Sequence, residues 1–304
     1  MSAILITGGT GLLAVNWATR ISTAHTVSLA THTRKITLPN ARSIAVDLDS
    51  VNGVRQILDK LTIDTVIHAA AMTDIEECEK VPELARHVNV TLASNVAQAS
   101  KAHGAKLVHI STDHLFDGAA PMRTEEDTIA PLNVYACTKA EAENIVLEAC
   151  PTALVIRTNF FGWGTSYRSS FSDAILASLN AGRPAMLFED VYYTPILVDI
   201  LIDAVHKLLS KAQTGIFNIV GDQRISKFDF GLKVAAEFGL DSRLINRSML
   251  SERRDLTSRP FEMSLSNHKV CRVLGGLLGT VGDHLARMRR ESVVPKVSID
   301  FGAV

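Results

Sequence analysis

Ala3-Ile4-Leu5-Ile6-Thr7-Gly8-Gly9-Thr10-Gly11-Leu12-Leu13-Ala14 is the stretch on which the fold turns. A short apolar run ends in a glycine cluster, and a helical pattern starts directly behind it. Gly8, Gly11 and Ala14 fit a GxxGxxA spacing, while Gly9, Gly11 and Ala14 also fit GxGxxA. Glycine permits the tight turn and lets the backbone approach a diphosphate, which the free N–H groups and partial positive charge of a helix N-terminus can hold. An ordinary glycine turn would use the same letters. The context decides for the dinucleotide fingerprint, because the cluster closes a first strand and the next strand pattern, Thr26–Thr31, follows one helix later. Gly8, Thr10, Gly11, Leu12 and Leu13 are therefore read as the cofactor cradle.

Working outward, short apolar bursts at Ala3–Thr7, Thr26–Thr31, Ser43–Asp47, Thr65–His68, Lys106–Ser111 and Ala153–Thr158 alternate with helix-like periodicity at Leu12–Ser22, Val51–Leu61, Pro82–His103 and Tyr135–Ala149. Strand and helix repeated in this way predict an α/β fold, a Rossmann-type doubly wound parallel sheet with right-handed crossovers. The period breaks after Thr158. Phe160–Ser170 reads as a loop, and Phe171–Ala181, Val198–Lys211 and a segment from Lys227 read as helices, with a strand at Ile216–Val220. The expected organisation is a cofactor-binding domain over 1–158, to which 185–220 contributes back, and a smaller substrate-binding lobe from 159–184 and 221–304. That lobe is expected over the carboxyl ends of the strands, where such sheets bind ligands.

Composition narrows the classes of function. Apolar residues make up 47% of the 304 residues, enough for a buried sheet covered on both faces. Lys+Arg number 31 against 32 Asp+Glu, a net charge of -1 that points to neither a nucleic-acid nor a membrane partner. The four cysteines form no CxxC, and the ten histidines form no HExxH or HxH, so neither a disulfide framework nor a metal site is expected. The first apolar run is short and lacks a basic leader, so it reads as a strand, and a cytoplasmic location is expected. No GxSxG elbow suggests a hydrolase.

The end of the second strand selects the cofactor. An NAD-binding chain usually places an acid there for the ribose hydroxyls. Leu29-Ala30-Thr31-His32-Thr33-Arg34-Lys35 has none, and Arg34, with His32 beside it, suits a 2′-phosphate. NADPH is expected ahead of NADH, the alternative being that these are solvated loop charges. Asp47 and Leu48 are placed near the adenine.

Tyr135-Ala136-Cys137-Thr138-Lys139 sets a phenol and an ammonium at i and i+4, on one helix face. A nearby ammonium favours the phenolate and should lower the tyrosine pKa, preparing it to exchange a proton with a carbonyl oxygen. The fifth strand pattern ends in Ser111-Thr112, which places Thr112 beside the same carbonyl. Strand-end hydroxyls also cap turns, so the spacing alone leaves both roles open.

Ser111-Thr112-Asp113-His114-Leu115-Phe116-Asp117-Gly118 followed by Pro131-Leu132-Asn133-Val134-Tyr135 and Lys139 resembles the extended short-chain dehydrogenase/reductases, and within them the dTDP-4-dehydrorhamnose reductase family. His68-Ala69-Ala70-Ala71-Met72-Thr73-Asp74, Cys78-Glu79, Asn89, Arg157-Thr158 and Arg259-Pro260 extend the resemblance over nearly the whole chain. It implies reduction of the 4-keto group of a nucleotide-activated 6-deoxy sugar. It also implies Thr112, Tyr135 and Lys139 as the catalytic trio, with Ala69, Ala70, Ala71 and Ser111 beside the cofactor and Lys139 bonding the nicotinamide ribose. Thr73, His114, Asn159, Phe160 and Arg259 would face the substrate, and a homodimer is compatible with the family.

His114 stands where the family usually has Tyr, and Asn159-Phe160-Phe161-Gly162-Trp163 departs from its usual Trp-containing run. Both changes bear on the substrate more than on the chemistry. His114 is read as a hydrogen-bonding pocket residue, with a second proton relay as the alternative. His68 and His109 are read as satisfied core residues, and Arg287–Arg290 as a solvated helix face. A related non-catalytic role is the second functional reading, an NADP-binding regulatory subunit like the methionine adenosyltransferase beta subunit. A dehydratase or epimerase is disfavoured because Asp113 is followed by His114 and not by Glu.

Overall fold

The computed structural model describes residues 1–32, 36–165 and 167–291. Strands β1 (Ala3–Thr7), β2 (Thr26–Thr31), β3 (Ala41–Ala45), β4 (Thr65–His68), β5 (Lys106–Ile110) and β6 (Leu154–Arg157) join the strand Gly215–Asn218 in one sheet. The spatial order from one edge is Gly215–Asn218, β6, β5, β4, β1, β2, β3, and every pair is parallel. The order reverses between β1 and β4, which is where a sheet of this kind opens a crevice at its carboxyl edge.

The strands are nearly continuous hydrophobic runs because both faces are covered. One face carries Ile4, Ile6, Ile67, Val108 and Ile156 under the helix α1 (Leu12–Ile21) and the helix Val198–Ser210. The other carries Leu5, Val66, Leu107 and Val155 under the helices Val51–Leu61, Leu92–His103 and Val134–Ala149. β3 lies two residues earlier than the Ser43–Asp47 expected, since its register pairs Val27 with Ala41 and Thr31 with Ala45. Its polar, half-exposed edge position weakens the apolar signal that marks the inner strands.

A second core, built on Phe161, Phe230, Tyr193 and Leu285, joins the helices Phe171–Asn180, Lys227–Phe238 and Val281–Glu291. Ala185–Phe188 pairs in parallel with Ile245–Ser248 and belongs to this core. The return of 185–220 to the main sheet is thus carried by Val198–Ser210 and Gly215–Asn218, not by the whole stretch. Alternating burial at Ala185, Met186 and Leu187 marks a two-stranded surface ribbon, which periodicity alone could not assign to either lobe. No helix among the described residues is long and apolar enough to cross a membrane.

Candidate active site

The glycine turn is fixed by close approach. Gly8 has φ of 65°, and a Cβ there would lie 2.9 Å from the Ala69 oxygen and from the Ala70 backbone. At Gly9 it would lie 2.8 Å from the Ala30 oxygen. Gly11 donates to the Gly8 carbonyl at 2.7 Å, and α1 starts behind it with no side-chain cap and no acid in its first turn. Its orphan N–H groups therefore face the crevice, beside Leu12, Leu13 and Ala14 of the cleft wall. Thr7 Oγ1 accepts from the Ala69 and Ala70 N–H groups at 3.2 Å each, which straps the loop after β4 to β1.

A cleft of about 320 Å³ runs from this turn to the catalytic candidates. Its walls include Gly8, Gly11, Leu12, Leu13, Ala69, Ala71, Thr73, Ser111, Thr112, His114, Tyr135, Lys139, Asn159 and Phe160, so separate motifs of the sequence meet in one place. Thr10, His32, Asp47, Leu48, Ala70 and Arg259 are not among its walls. His32 is exposed at the end of β2, and Arg34 lies outside the described residues. Asp47 is exposed and accepts from the Asp49 N–H at 3.0 Å, while the Leu48 carbonyl accepts from Asn95 at 3.0 Å. Arg259 is ion-paired with Glu76, one turn beyond Thr73.

Asn133 caps the helix Val134–Ala149, accepting from Ala136 at 2.8 Å, and its amide donates to the Ser258 carbonyl at 2.9 Å. The cap fixes where the helix begins and so where Tyr135 and Lys139 point. A single π turn, His87–Thr91, interrupts the expected Pro82–His103 helix and delivers Asn89 to the site. Asn89 accepts from the Met72 N–H at 2.8 Å and donates to the Met72 carbonyl at 3.1 Å and to Thr138 Oγ1 at 2.9 Å. Thr138 in turn donates to the Tyr135 carbonyl at 2.8 Å. The loop after β4 and the Tyr135 helix are thereby held in one register.

Tyr135 is 8% exposed and Lys139 2%. Burial raises the Tyr135 pKa well above its ordinary value; the Thr112 hydroxyl opposes this and the Asp113 carboxylate adds to it. This reverses the lowering expected from the Tyr-Lys spacing. The desolvation of a phenolate exceeds any help from an ammonium whose Nζ is turned to the Ile110 carbonyl, 2.7 Å away. Burial also lowers Lys139 to about 8, with Glu143 pulling it back up. Asp113 is raised to about 6 by burial, opposed by the 2.7 Å hydrogen bond from Asn159 and by Lys227. His114 is pushed down to about 3 by burial, then by Lys227 and Arg259, so it is neutral at pH 7, with its ring edge-on to Tyr135 at 5.7 Å.

Behind the site His68 and His109 stack at 5.5 Å. His68 Nδ1 bonds Thr7 Oγ1 at 2.8 Å, but its Nε2 and both His109 nitrogens have no partner among the described residues. The expectation of satisfied core histidines therefore holds for one nitrogen of the four. Arg289 and Arg290 are exposed, as expected of a solvated helix face, with Arg289 ion-paired to Glu237, while Arg287 is half-buried and pairs with Asp203 and Glu291. Arg168, on the wall of the cleft, escaped the sequence reading because nothing in the 160–170 loop pattern sets it apart.

The family model for the RmlD substrate binding domain matches residues 1–293. The chain belongs to this family. Among RmlD-type relatives, the probable low-salt glycan biosynthesis reductase Agl14 of Haloferax volcanii is 31% identical over 288 residues, covering 93% of this chain and 96% of the relative. The dTDP-4-dehydrorhamnose reductase of Salmonella typhimurium is 29% identical over 243 residues, covering 77% of each chain. A solved structure of a hypothetical dTDP-4-dehydrorhamnose reductase from Sulfolobus tokodaii superimposes with a TM-score of 0.80 at 29% identity, over 92% of this chain and 97% of that one. The RmlD match spans both lobes, as did the resemblance read from the motifs.

Proposed function

We propose that this RmlD-family chain is an NADPH-dependent reductase of the 4-keto group of a nucleotide-activated 6-deoxy sugar. The residues present fit a dinucleotide. Gly8 and Gly9 of the cradle have no room for a Cβ, the α1 N-terminus has no side-chain cap, and the buried hydroxyls of Ser111 and Thr158 have no partner among the described residues. Bound NADPH would supply the hydride. His32 and Arg34 are assigned to its 2′-phosphate, Asp47 and Leu48 to its adenine end. Residues 1–158, with the later return to the sheet, would hold the cofactor, and 159–184 with 221–304 the sugar nucleotide.

One observation carries the reading: the buried Tyr135 lines one cleft with Thr112, Lys139 and the glycine turn. In the direction of reduction the phenol must hold a proton until charge develops on the substrate oxygen, and its raised pKa keeps it there. Thr112 would donate to the same oxygen, and Lys139 would hold the ribose end with its own ammonium. His114, neutral, is assigned to hydrogen-bond the sugar together with Thr73, Asn159 and Phe160, and Arg259 to the outer end of the substrate. The names of the Haloferax and Salmonella relatives support a reductase of glycan precursors.

The test mixes the protein with NADPH and a panel of 4-keto-6-deoxy sugar nucleotides and follows loss of NADPH absorbance. Tyr135→Phe should lower kcat by about 10²- to 10⁴-fold and leave NADPH affinity intact. Unchanged turnover in that variant would remove Tyr135 as proton donor. Tight NADPH binding with no turnover on any substrate, and a co-purifying partner, would favour the regulatory-subunit reading instead.

A further inference from the structure

Among the described residues, the cleft walls carry one cation that the proposed chemistry leaves unused. The charged residues described on its walls are Asp113, Lys139 and Arg168. Asp113 is buried against Asn159, and Lys139 is buried against the Ile110 carbonyl. Arg168 is exposed. Its guanidinium donates to Thr73 Oγ1 at 3.1 Å, and among the described residues it has no carboxylate partner. A hydroxyl is a neutral acceptor that takes one of five donors and leaves most of the planar fork to a ligand.

The loop carrying Arg168 is tied down. Tyr167 donates its hydroxyl to the Thr10 carbonyl in the glycine turn. Thr165 donates its N–H to the Arg168 carbonyl at 2.9 Å, and Arg168 donates its own to Thr165 Oγ1 at 3.1 Å. Asn16, on α1, donates to the Trp163 carbonyl at 3.0 Å. Arg168 is therefore presented between the glycine turn and Thr73. The cleft also contains the uncapped start of α1, which can neutralise one diphosphate. A dinucleotide and a sugar nucleotide each bring one.

We propose that Arg168 is a diphosphate-binding residue of the cleft, acting in addition to the α1 N-terminus. The assignment rests on reading the cleft as a nucleotide site. The contact with Thr73, away from the glycine turn, favours the diphosphate of the sugar nucleotide over that of the cofactor.

The test compares wild type, Arg168→Lys and Arg168→Gln by fluorescence titration with NADPH and by calorimetric titration with dTDP, GDP and UDP. Arg168→Gln should weaken one class of ligand by about 10- to 100-fold, the loss of charge-assisted hydrogen bonds, with Arg168→Lys in between. Binding of that class should also lose part of its salt dependence. A loss confined to the nucleoside diphosphates identifies the substrate diphosphate, and a loss confined to NADPH identifies the cofactor diphosphate. Unchanged affinity for all ligands, within a factor of about 2, overturns the proposal and leaves the reductase reading standing. A wild-type protein that binds no nucleotide overturns both. Arg168 is exposed, so the unfolding midpoint of the variants should match wild type and separates lost binding from lost fold.

Discussion

Removing the Glu143 carboxylate should cost this protein a large part of its stability. Arg157, at the end of β6, donates Nε to Glu143 Oε1 at 3.0 Å and Oε2 at 3.2 Å, and Nη2 to Oε2 at 2.7 Å. The side chains are only 4% and 2% exposed. Among the described residues Arg157 Nη1 already has no partner, and the Phe116 ring lies 5.6 Å from the guanidinium carbon. Truncation of one partner of a buried pair typically costs about 3 to 5 kcal/mol, because the other charge is left desolvated. For a chain of this size that is a fall in Tm on the order of 10 °C. Urea unfolding of Glu143→Ala and Glu143→Gln measures it, with Gln milder because it keeps one acceptor. The double variant Glu143→Met with Arg157→Leu should recover most of the loss, since no unpaired charge remains. A cost below about 1 kcal/mol for Glu143→Ala would refute the claim that this pair is desolvated.

The pH profile follows from Lys139. Its folded pKa, about 8, lies below the ordinary 10.5. The unfolded chain takes up the proton first as pH falls from 10.5 to 8, so stability declines over that window and is flat for this group below it. The ammonium proposed to position ligand is lost as pH rises through about 8, so kcat/KM should fall above it, and Glu143→Gln should move that limb to lower pH. A profile flat to the ordinary lysine range would remove Lys139 from the reaction. At the cofactor's other end, Arg34→Glu should weaken NADPH binding far more than NADH binding in a fluorescence titration, and an equal loss for both would end the 2′-phosphate assignment.

Much of the candidate site is legible in the sequence because its parts are local. The glycine cluster, the Tyr135 to Lys139 spacing and the Ser111-Thr112 strand end are each set by a few consecutive residues, and alternating strand and helix patterns imply the shared carboxyl edge that collects them. The small ribbon of Ala185–Phe188 with Ile245–Ser248 was not legible, since its partner strands are far apart in sequence and neither has a decisive period. The π turn at His87–Thr91 was hidden for a related reason, as its residues fit an ordinary helix and only Asn89's hydrogen bonds to Met72 and Thr138 show why the helix widens there.

The sequence by itself determined the doubly wound sheet and its glycine turn, and it singled out Thr112, Tyr135 and Lys139 as the candidate trio, because backbone geometry and residue type are local properties. Only the tertiary structure decided their electrical state and their neighbours. Burial is a property of the packed lobes, and it reversed the expected shift of Tyr135, neutralised His114, tied up Arg259 with Glu76 and left Arg168 facing the cleft. A phenol's readiness to hold or release a proton depends on which solvent molecules the fold removes, and no spacing along the chain encodes that.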